Sequence, residues 1–480
     1  MLRHFLSACF SVRVKNMQSF FKKQSAFGSL DFYANALKIA VPVMAQLLIQ
    51  NLVSLIDNFM VSGLGDIKMS GVNITGQIIF MFMVFSNTIC MAGGIFKTQY
   101  SGAKDNAGMR QAFCFKLWSS VFVLAVYSVS CFVFPRKILS YMVVGNSQAD
   151  MILVEGVKYM RIMGFMGIPW LISTMISSSL RDIGEVRVPL VISIIATLIN
   201  TGFNWLLIYG HLGFPRLEVQ GAALATLIAR VVECVLFIAY MIKKRPPFVI
   251  KLMDMFTVNL RLFREIFKKA WMMMCSEMVW ALAETITTAL YNGRGGADVV
   301  SGMSASFAIA NLFFVAFSGI CTATGVIIGK DLGRGDLELA RKEKVWLLNG
   351  AKIFGLFFTL IGFVCTLLVP LVFRNLSDHA RAICSQMVFV MALYMPLWVY
   401  INGQFSVSRA GGDTMMGMLV DGIGHLFIVI PGIFFMAKCT TIGPVMMFAI
   451  IKAVEIPKIT IAHFWLKKEK WLVNLAEKKV

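Results

Sequence analysis

The sequence predicts an all-α integral membrane protein with twelve transmembrane helices in two pseudo-symmetric six-helix bundles. Three observations point there. Apolar residues make up 58% of the 480 and only 15% are charged, against about a quarter in a soluble domain. Long stretches carry no charge, among them Met69–Phe96, Leu117–Phe134, Ile162–Leu180, Val188–Gly210, Val299–Gly329, Ile353–Phe373 and Ala382–Ser408. Each is near or above the roughly 18–20 residues that a helix needs to cross a bilayer. The second half of the chain also repeats the first.

Taken in order, the apolar windows place spans at 37–62, 69–96, 114–134, 152–180, 188–210, 219–242, 269–292, 299–329, 345–373, 382–408, 414–437 and 441–466. Gly, Pro and Ser inside them are tolerated because no water competes for backbone hydrogen bonds in lipid. With the N-terminus cytoplasmic, about 30 of the 45 Lys and Arg fall in the two tails and the inner loops, and far fewer in the outer ones. One missed span would scramble that bias. The expected location is therefore the cell membrane, multi-pass, with both termini cytoplasmic. The net charge of +20 then reports topology and gives no reason to expect nucleic acid.

The expected organisation is a cytoplasmic tail at 1–36, an N-lobe at 37–242, a basic linker at 243–268, a C-lobe at 269–466 and a second tail at 467–480. The linker, with Lys243, Lys244, Arg245, Arg261, Arg264 and Lys268, suits anionic lipid headgroups. The first 30 residues are basic and acid-free. They read either as an organellar presequence or as a cytoplasmic tail with Met17 as the start. The ten cysteines are scattered without a CxxC pair, so neither disulfides nor a metal site is expected.

The repeat is an ordered series. Gly102-Ala-Lys-Asp105 followed by Arg110 matches Gly333-Arg-Gly-Asp336 followed by Arg341, and Arg181-Asp-Ile-Gly184-Glu185 matches Arg409-Ala-Gly-Gly412-Asp413. Gly221 with Arg230 and Glu233 matches Gly443 with Lys452 and Glu455. Six spans per half is an even number, so both halves enter from the same side. Such halves are related by an axis along the membrane normal, with a cavity between them near the midplane. Rocking one against the other gives alternating access, and a monomer suffices for it.

Several of these segments carry a family resemblance. They are Pro42-Val-Met-Ala-Gln46, Ile56-Asp57-Asn58 through Gly63-Leu-Gly65, Gln99-Tyr-Ser-Gly102-Ala-Lys-Asp105, Ser178-Ser-Leu-Arg181-Asp-Ile-Gly184, Asn200 to Gly210, Gly213-Phe-Pro215 and Gly221 to Thr226. Together and in order they resemble the multidrug and toxin extrusion (MATE) family of cation-coupled antiporters, over about residues 37–466. The resemblance implies export of organic, often cationic and amphipathic compounds, driven by inward H+ or Na+.

Candidate site residues follow from charge placed in oil. An acid at a span centre, such as Asp57, costs about 2.5–3.5 kcal/mol to insert and is normally kept for ions or protons. Asn200 and Asn204 are spaced i, i+4 and share a helix face, so their amides can serve Asp57 or a hydrated ion. Glu277 and Glu284 lie two turns apart on one face, where an acidic wall attracts a cationic guest. Trp271, Trp280 and Tyr291 nearby offer cation–π faces. Asp421 and His425, again i, i+4, form a candidate proton-sharing pair, since His titrates near neutrality. The resemblance implies that Asp57 matches the first-span acid of cation coupling and that Glu277 fits the seventh-span acid. Some members carry further acids where this chain has Asn204 and the stretch Trp398 to Gln404. Arg230 with Glu233, and Lys452 with Glu455, read as structural ion pairs.

The expected activity is H+- or Na+-coupled antiport of organic, cationic drugs or metabolites, without enzymatic chemistry, cofactor or obligatory protein partner. Gly102 to Asp105 and Gly333 to Asp336 look phosphate-like in composition, but no GxxxxGK[ST] occurs, so ATP has no motif to bind. One alternative is a lipid-linked saccharide flippase of a related fold, whose polyanionic headgroup asks for basic residues in the cavity. The other is a membrane enzyme acting on lipids, for which five dispersed histidines without HExxH grouping give no support. The deeply placed ionisable groups read as mainly acidic, which favours a cationic guest.

Overall fold

A computed structural model describes residues 26–143, 148–250, 252–374 and 376–477. The presequence alternative falls largely outside them. Among the described residues, twelve helical segments account for the twelve spans. In the first half these are α1 (Leu30–Ser62), α2 (Asp66–Gly102), α3 (Asn106–Phe132), α4 (Ala149–Asp182), α5 (Arg187–Tyr209) and α6 (Glu218–Lys244). In the second half they are α7 (Leu260–Asn292), α8 (Ala297–Arg334), α9 (Leu337–Val372), α10 (Asp378–Ala410), α11 (Met415–Cys439) and α12, which runs as Pro444–Lys452 and then Glu455–Lys467. No strand occurs among the described residues.

The helices overrun the apolar windows where capping residues lie in the flanking polar turn. Ser29 accepts from the Phe32 amide, so α1 starts at Leu30 rather than at 37. Asn259 accepts from the amides of Arg261 and Leu262, so α7 takes in the last nine residues expected of the linker. Asp336 likewise starts α9 eight residues before its window. An Asn, Asp or Ser oxygen at this position satisfies amides that the first helical turn leaves without partners.

The outer face carries large apolar side chains, with Phe59, Phe122 and Leu367 each at least 70% exposed. Lipid covers such a face at no cost. Buried clusters form each bundle's interior, with Phe115 and Met175 in one and Met391 and Trp398 in the other among their members. The bundles meet through exchanged contacts: α1 packs on α8, and α2 on both α7 and α8.

The repeated motifs acquire a physical meaning at this junction. A side chain on Gly102 would collide with the Lys330 carbonyl, and one on Gly333 with the Gln99 carbonyl. Gln99 and Lys330 are themselves repeat equivalents, so α2 and α8 cross backbone to backbone in a reciprocal contact. Just beyond, Asp105 caps α3 through the Gly108 amide and Asp336 caps α9 through the Leu339 amide. The second motif supplies left-handed turns after α4 and α10, with φ of +90° at Gly184 and +77° at Gly412. Glycine enters this region without steric penalty. These segments build turns and close crossings.

The bundles are sealed at the end carrying both described termini. Gln99, fully buried, donates to the carbonyls of Ala410 (2.7 Å) and Val473 (3.2 Å) and accepts from the Leu475 amide (2.6 Å). Trp471 sits in the second bundle's core and Leu475 in the first's. The segment after α12 therefore straps one bundle to the other.

Candidate functional site

Away from that seal the bundles part around a cavity of about 1430 Å³. Its wall comes from the second half of α1, the first half of α2 and the second half of α7, with Tyr159 of α4, Asn204 of α5 and Thr226 of α6. Three carboxylate side chains line it, Asp57, Glu277 and Glu284, and no Lys, Arg or His does so among the described residues.

The first bundle places Asp57, Asn200 and Asn204 together. The Asn204 amide donates to Asp57 Oδ1 at 2.6 Å. The Asn200 amide, turned so that its nitrogen faces the carboxylate, reaches both oxygens at 3.0 and 3.1 Å. That orientation sets a donor against an acceptor where the opposite one opposes two oxygens. Thr226 Oγ1 lies 3.3 Å from the Asn200 amide. No described Lys, Arg or His forms an ion pair with Asp57. The buried Asn204 Oδ1 has no hydrogen-bond donor among the described residues. The i, i+4 spacing on α5 thus gives one wall of amides facing a single carboxylate on α1.

Asp57 is not the only acid in this region. Glu233 shares with it a smaller pocket of about 150 Å³ behind the main cavity. Its charge is matched by Arg230 at 2.7 Å, as the sequence suggested. Thr226 was missed as a participant, although it closes the quoted Gly221 segment.

In the second bundle every acid named from the sequence has a resident base nearby. Glu277 lies 3.6 Å from Arg409 of α10. Glu284 is ion-paired with Lys452 of α12. Asp421 pairs with Lys458 at 2.9 Å, and Lys458 also reaches Glu455 at 3.1 Å. Lys452 and Glu455 therefore do not pair with each other, because the helix breaks at Ala453-Val454 between them. Each turns to a different partner.

Asp421 and His425 are neighbours, but away from the cavity. His425 Nδ1 sits 2.8 Å from the Asp421 backbone carbonyl and 3.4 Å from its carboxylate. Both lie in widened π turns, Met418–Gly422 and His425–Val429, which displace side chains from ordinary i, i+4 register. Lys458, not His425, is the closest charged partner of Asp421.

Two further expectations change. The aromatic residues on the cavity wall are Phe80, Phe85 and Tyr159. Trp271 and Trp280 are outside the lining and exposed, and Tyr291 is buried against Phe448, so the second-half aromatics serve lipid and core. Deeply buried ionisable groups are also not mainly acidic, since Lys97, Lys116 and Lys458 are each at most 3% exposed. Lys116 is neutralised by Asp182 at 2.6 Å, and Lys97 lies 3.3 Å from the centre of the Phe248 ring. The cavity wall, however, retains its acidic character.

Comparison with known proteins places this geometry. The family model MatE matches residues 42–206 and 270–435, once in each bundle. Over 415 residues the chain is 23% identical to the probable multidrug resistance protein NorM of Thermotoga maritima, covering 85% of this chain and 86% of the other. It is 25% identical over 327 residues to the multidrug resistance protein NorM of Vibrio cholerae, covering 66% and 68%. The multidrug export protein MepA of Staphylococcus saprophyticus is 21% identical over 420 residues, covering 85% and 82%.

Among solved structures, a multidrug resistance MATE family transporter of the MOP superfamily in an outward-facing conformation superposes with a TM-score of 0.80 at 17% identity, covering 91% of this chain and 96% of that one. A MOP superfamily transporter from Pyrococcus furiosus, described as having a binding pocket of reverse polarity, superposes at 0.79 and 17% identity, covering 91% and 95%. These two establish the fold. The matched blocks cover about two thirds of the sequence and repeat once per bundle, as the internal symmetry requires: the chain belongs to the MatE family of multidrug efflux transporters.

Proposed function

We propose that this transporter is an antiporter that exports organic cations in exchange for inward H+ or Na+, with Asp57, Asn200 and Asn204 as the coupling-ion site. The observation that carries the reading is an acid at the cavity wall whose described partners are neutral amides, beside an amide oxygen left without a donor. Carboxylate and amide oxygens are the ligands that a hard cation prefers, and a carboxylate alone suffices for a proton. No described Lys, Arg or His is ion-paired with Asp57, so an incoming ion has a charge to meet.

Glu277 and Glu284 bring carboxylates to the opposite wall, each beside a base of its own, Arg409 or Lys452, and Phe80, Phe85 and Tyr159 offer a cationic guest ring faces. A cavity wall without Lys or Arg among the described residues supports this guest over a polyanionic saccharide headgroup. In this reading residues 37–242 and 269–466 act as the two lobes, joined by the basic linker 243–268. The sealed end is cytoplasmic, with both termini on that side of the cell membrane, as the loop charges favour. The cavity then faces outward. Asp421 and His425, with Lys458 beside them, serve the C-lobe's internal charge balance.

The test is transport by the purified protein in proteoliposomes, with a pH gradient and a Na+ gradient imposed separately. Accumulation of tetraphenylphosphonium under at least one of them is expected. Accumulation under neither, or faster movement of a neutral analogue, would contradict the reading.

A further inference from the structure

Glu284 lines the cavity, yet the structure does not leave it free for a guest. Its carboxylate is ion-paired with Lys452. The lysine arrives from an unusual place: it ends the first piece of α12, and the chain turns through Ala453 and Val454 before the helix resumes at Glu455. A cation at a helix C-terminus is favoured by the helix dipole. The ring of Phe448, one turn earlier, lies 5.5 Å from the ammonium. The lysine is largely buried, 13% exposed, and its glutamate is 25% exposed toward the cavity. Lys452 itself is not part of the lining. It reaches the site from behind.

Asp57 and Glu284 thus stand on opposite walls of one cavity in different states. One carboxylate is held by amides, the other by a built-in primary ammonium. An ammonium on a flexible four-carbon stem has the charge and size of the head of a simple organic amine. Two cations do not share one carboxylate at full strength, so a guest that binds Glu284 must displace the lysine.

Building on the antiport reading above, we propose that Lys452 is a tethered competitor for the exported cation at Glu284, and so a specificity-determining residue. With the cavity empty, Lys452 neutralises Glu284 and spares the membrane an unpaired acid. On loading, the guest takes the carboxylate and the lysine retreats toward Phe448. On release the lysine returns, which lowers the affinity for a guest that has to leave. A guest carrying a single diffuse charge competes worst, and one that adds hydrogen bonds or a second charge competes best.

The test is equilibrium binding of tetraphenylphosphonium to the purified protein in nanodiscs. Lys452→Met keeps the stem and removes the charge, and it should tighten binding at least about fivefold, the lower end of typical coupling between two linked binding events. Lys452→Arg should bind as the wild type does. The gain should vanish in Lys452→Met/Glu284→Gln and for a neutral probe of the same shape. Because Lys452→Met strands an acid and can unfold, a second measurement uses the wild-type chain. Saturating tetraphenylphosphonium should raise the rate at which acetic anhydride acetylates Lys452, read by mass spectrometry. Equal affinity of folded wild type and Lys452→Met, or an unchanged acetylation rate, overturns the competitor role alone. No binding by wild type and all variants overturns the cation-export reading and this inference with it.

Discussion

Asp57 keeps its place in the wall through amides, and that makes its surroundings sensitive to a change that leaves the acid itself intact. Asn204→Leu removes the 2.6 Å donor and preserves volume. A lost hydrogen bond to a charged group of this kind costs about 1.5–3 kcal/mol, so the melting temperature in detergent should fall. Gradient-driven export should fall with it, while an unchanged melting point would mean that the bond contributes little. Asp57, Asn200 and Asn204 were legible from sequence because helical spacing alone sets two amides on one face. The partners in the second half were not. Lys452 and Glu455 are three apart and invite pairing, but a break in the helix, invisible in composition, aims one at Glu284 and the other at Lys458.

At the scale of the element, the helices were legible and their ends less so. Hydropathy marks the portion in lipid, whereas the helix continues until a cap such as Ser29, Asn259 or Asp336 stops it. The glycine motifs were visible as a repeat, but their purpose required knowing which helix each one meets. Gly333→Val places a side chain against the Gln99 carbonyl and Gly102→Val against that of Lys330. Overpacking of this kind costs typically about 1–3 kcal/mol. Each variant should melt lower than wild type, and cysteines placed on the two facing ends should become more reactive as the seal loosens. Equal melting points and equal thiol reactivity would contradict the crossing. Because the contact is reciprocal, the two substitutions should act similarly.

At the scale of the whole molecule, closure at one end and a cavity toward the other are two aspects of one arrangement. The strap after α12 contributes to the closure. Its start is tied to α9 by Arg341, which donates to both Glu469 oxygens at 2.8 and 2.9 Å. The Arg341 guanidinium holds the Glu469 carboxyl below its ordinary range. A depressed acid stabilises the fold above its unfolded value, about 4.3, and the contribution is lost as pH falls through the lower folded value. Both groups are more than a third exposed, so solvent screens the effect and keeps it small. The difference in melting temperature between wild type and Glu469→Gln should be level from pH 6 to 8 and shrink below about 4. A difference that changes between pH 6 and 8 would assign the tether to another group. The two-bundle plan was readable because the repeat and the loop charges constrain it. Which end stands open was not, since apolar windows and repeat spacing are the same whichever end is closed.

In the proposed cycle, Asp57 must be met by an ion before the bundles can turn. The most direct test loads proteoliposomes with wild type or Asp57→Asn and follows tetraphenylphosphonium flux with and without the driving gradient. The amide should bind tetraphenylphosphonium and melt much as wild type does, yet its flux should no longer respond to the gradient. A gradient response in Asp57→Asn equal to that of wild type would contradict the account.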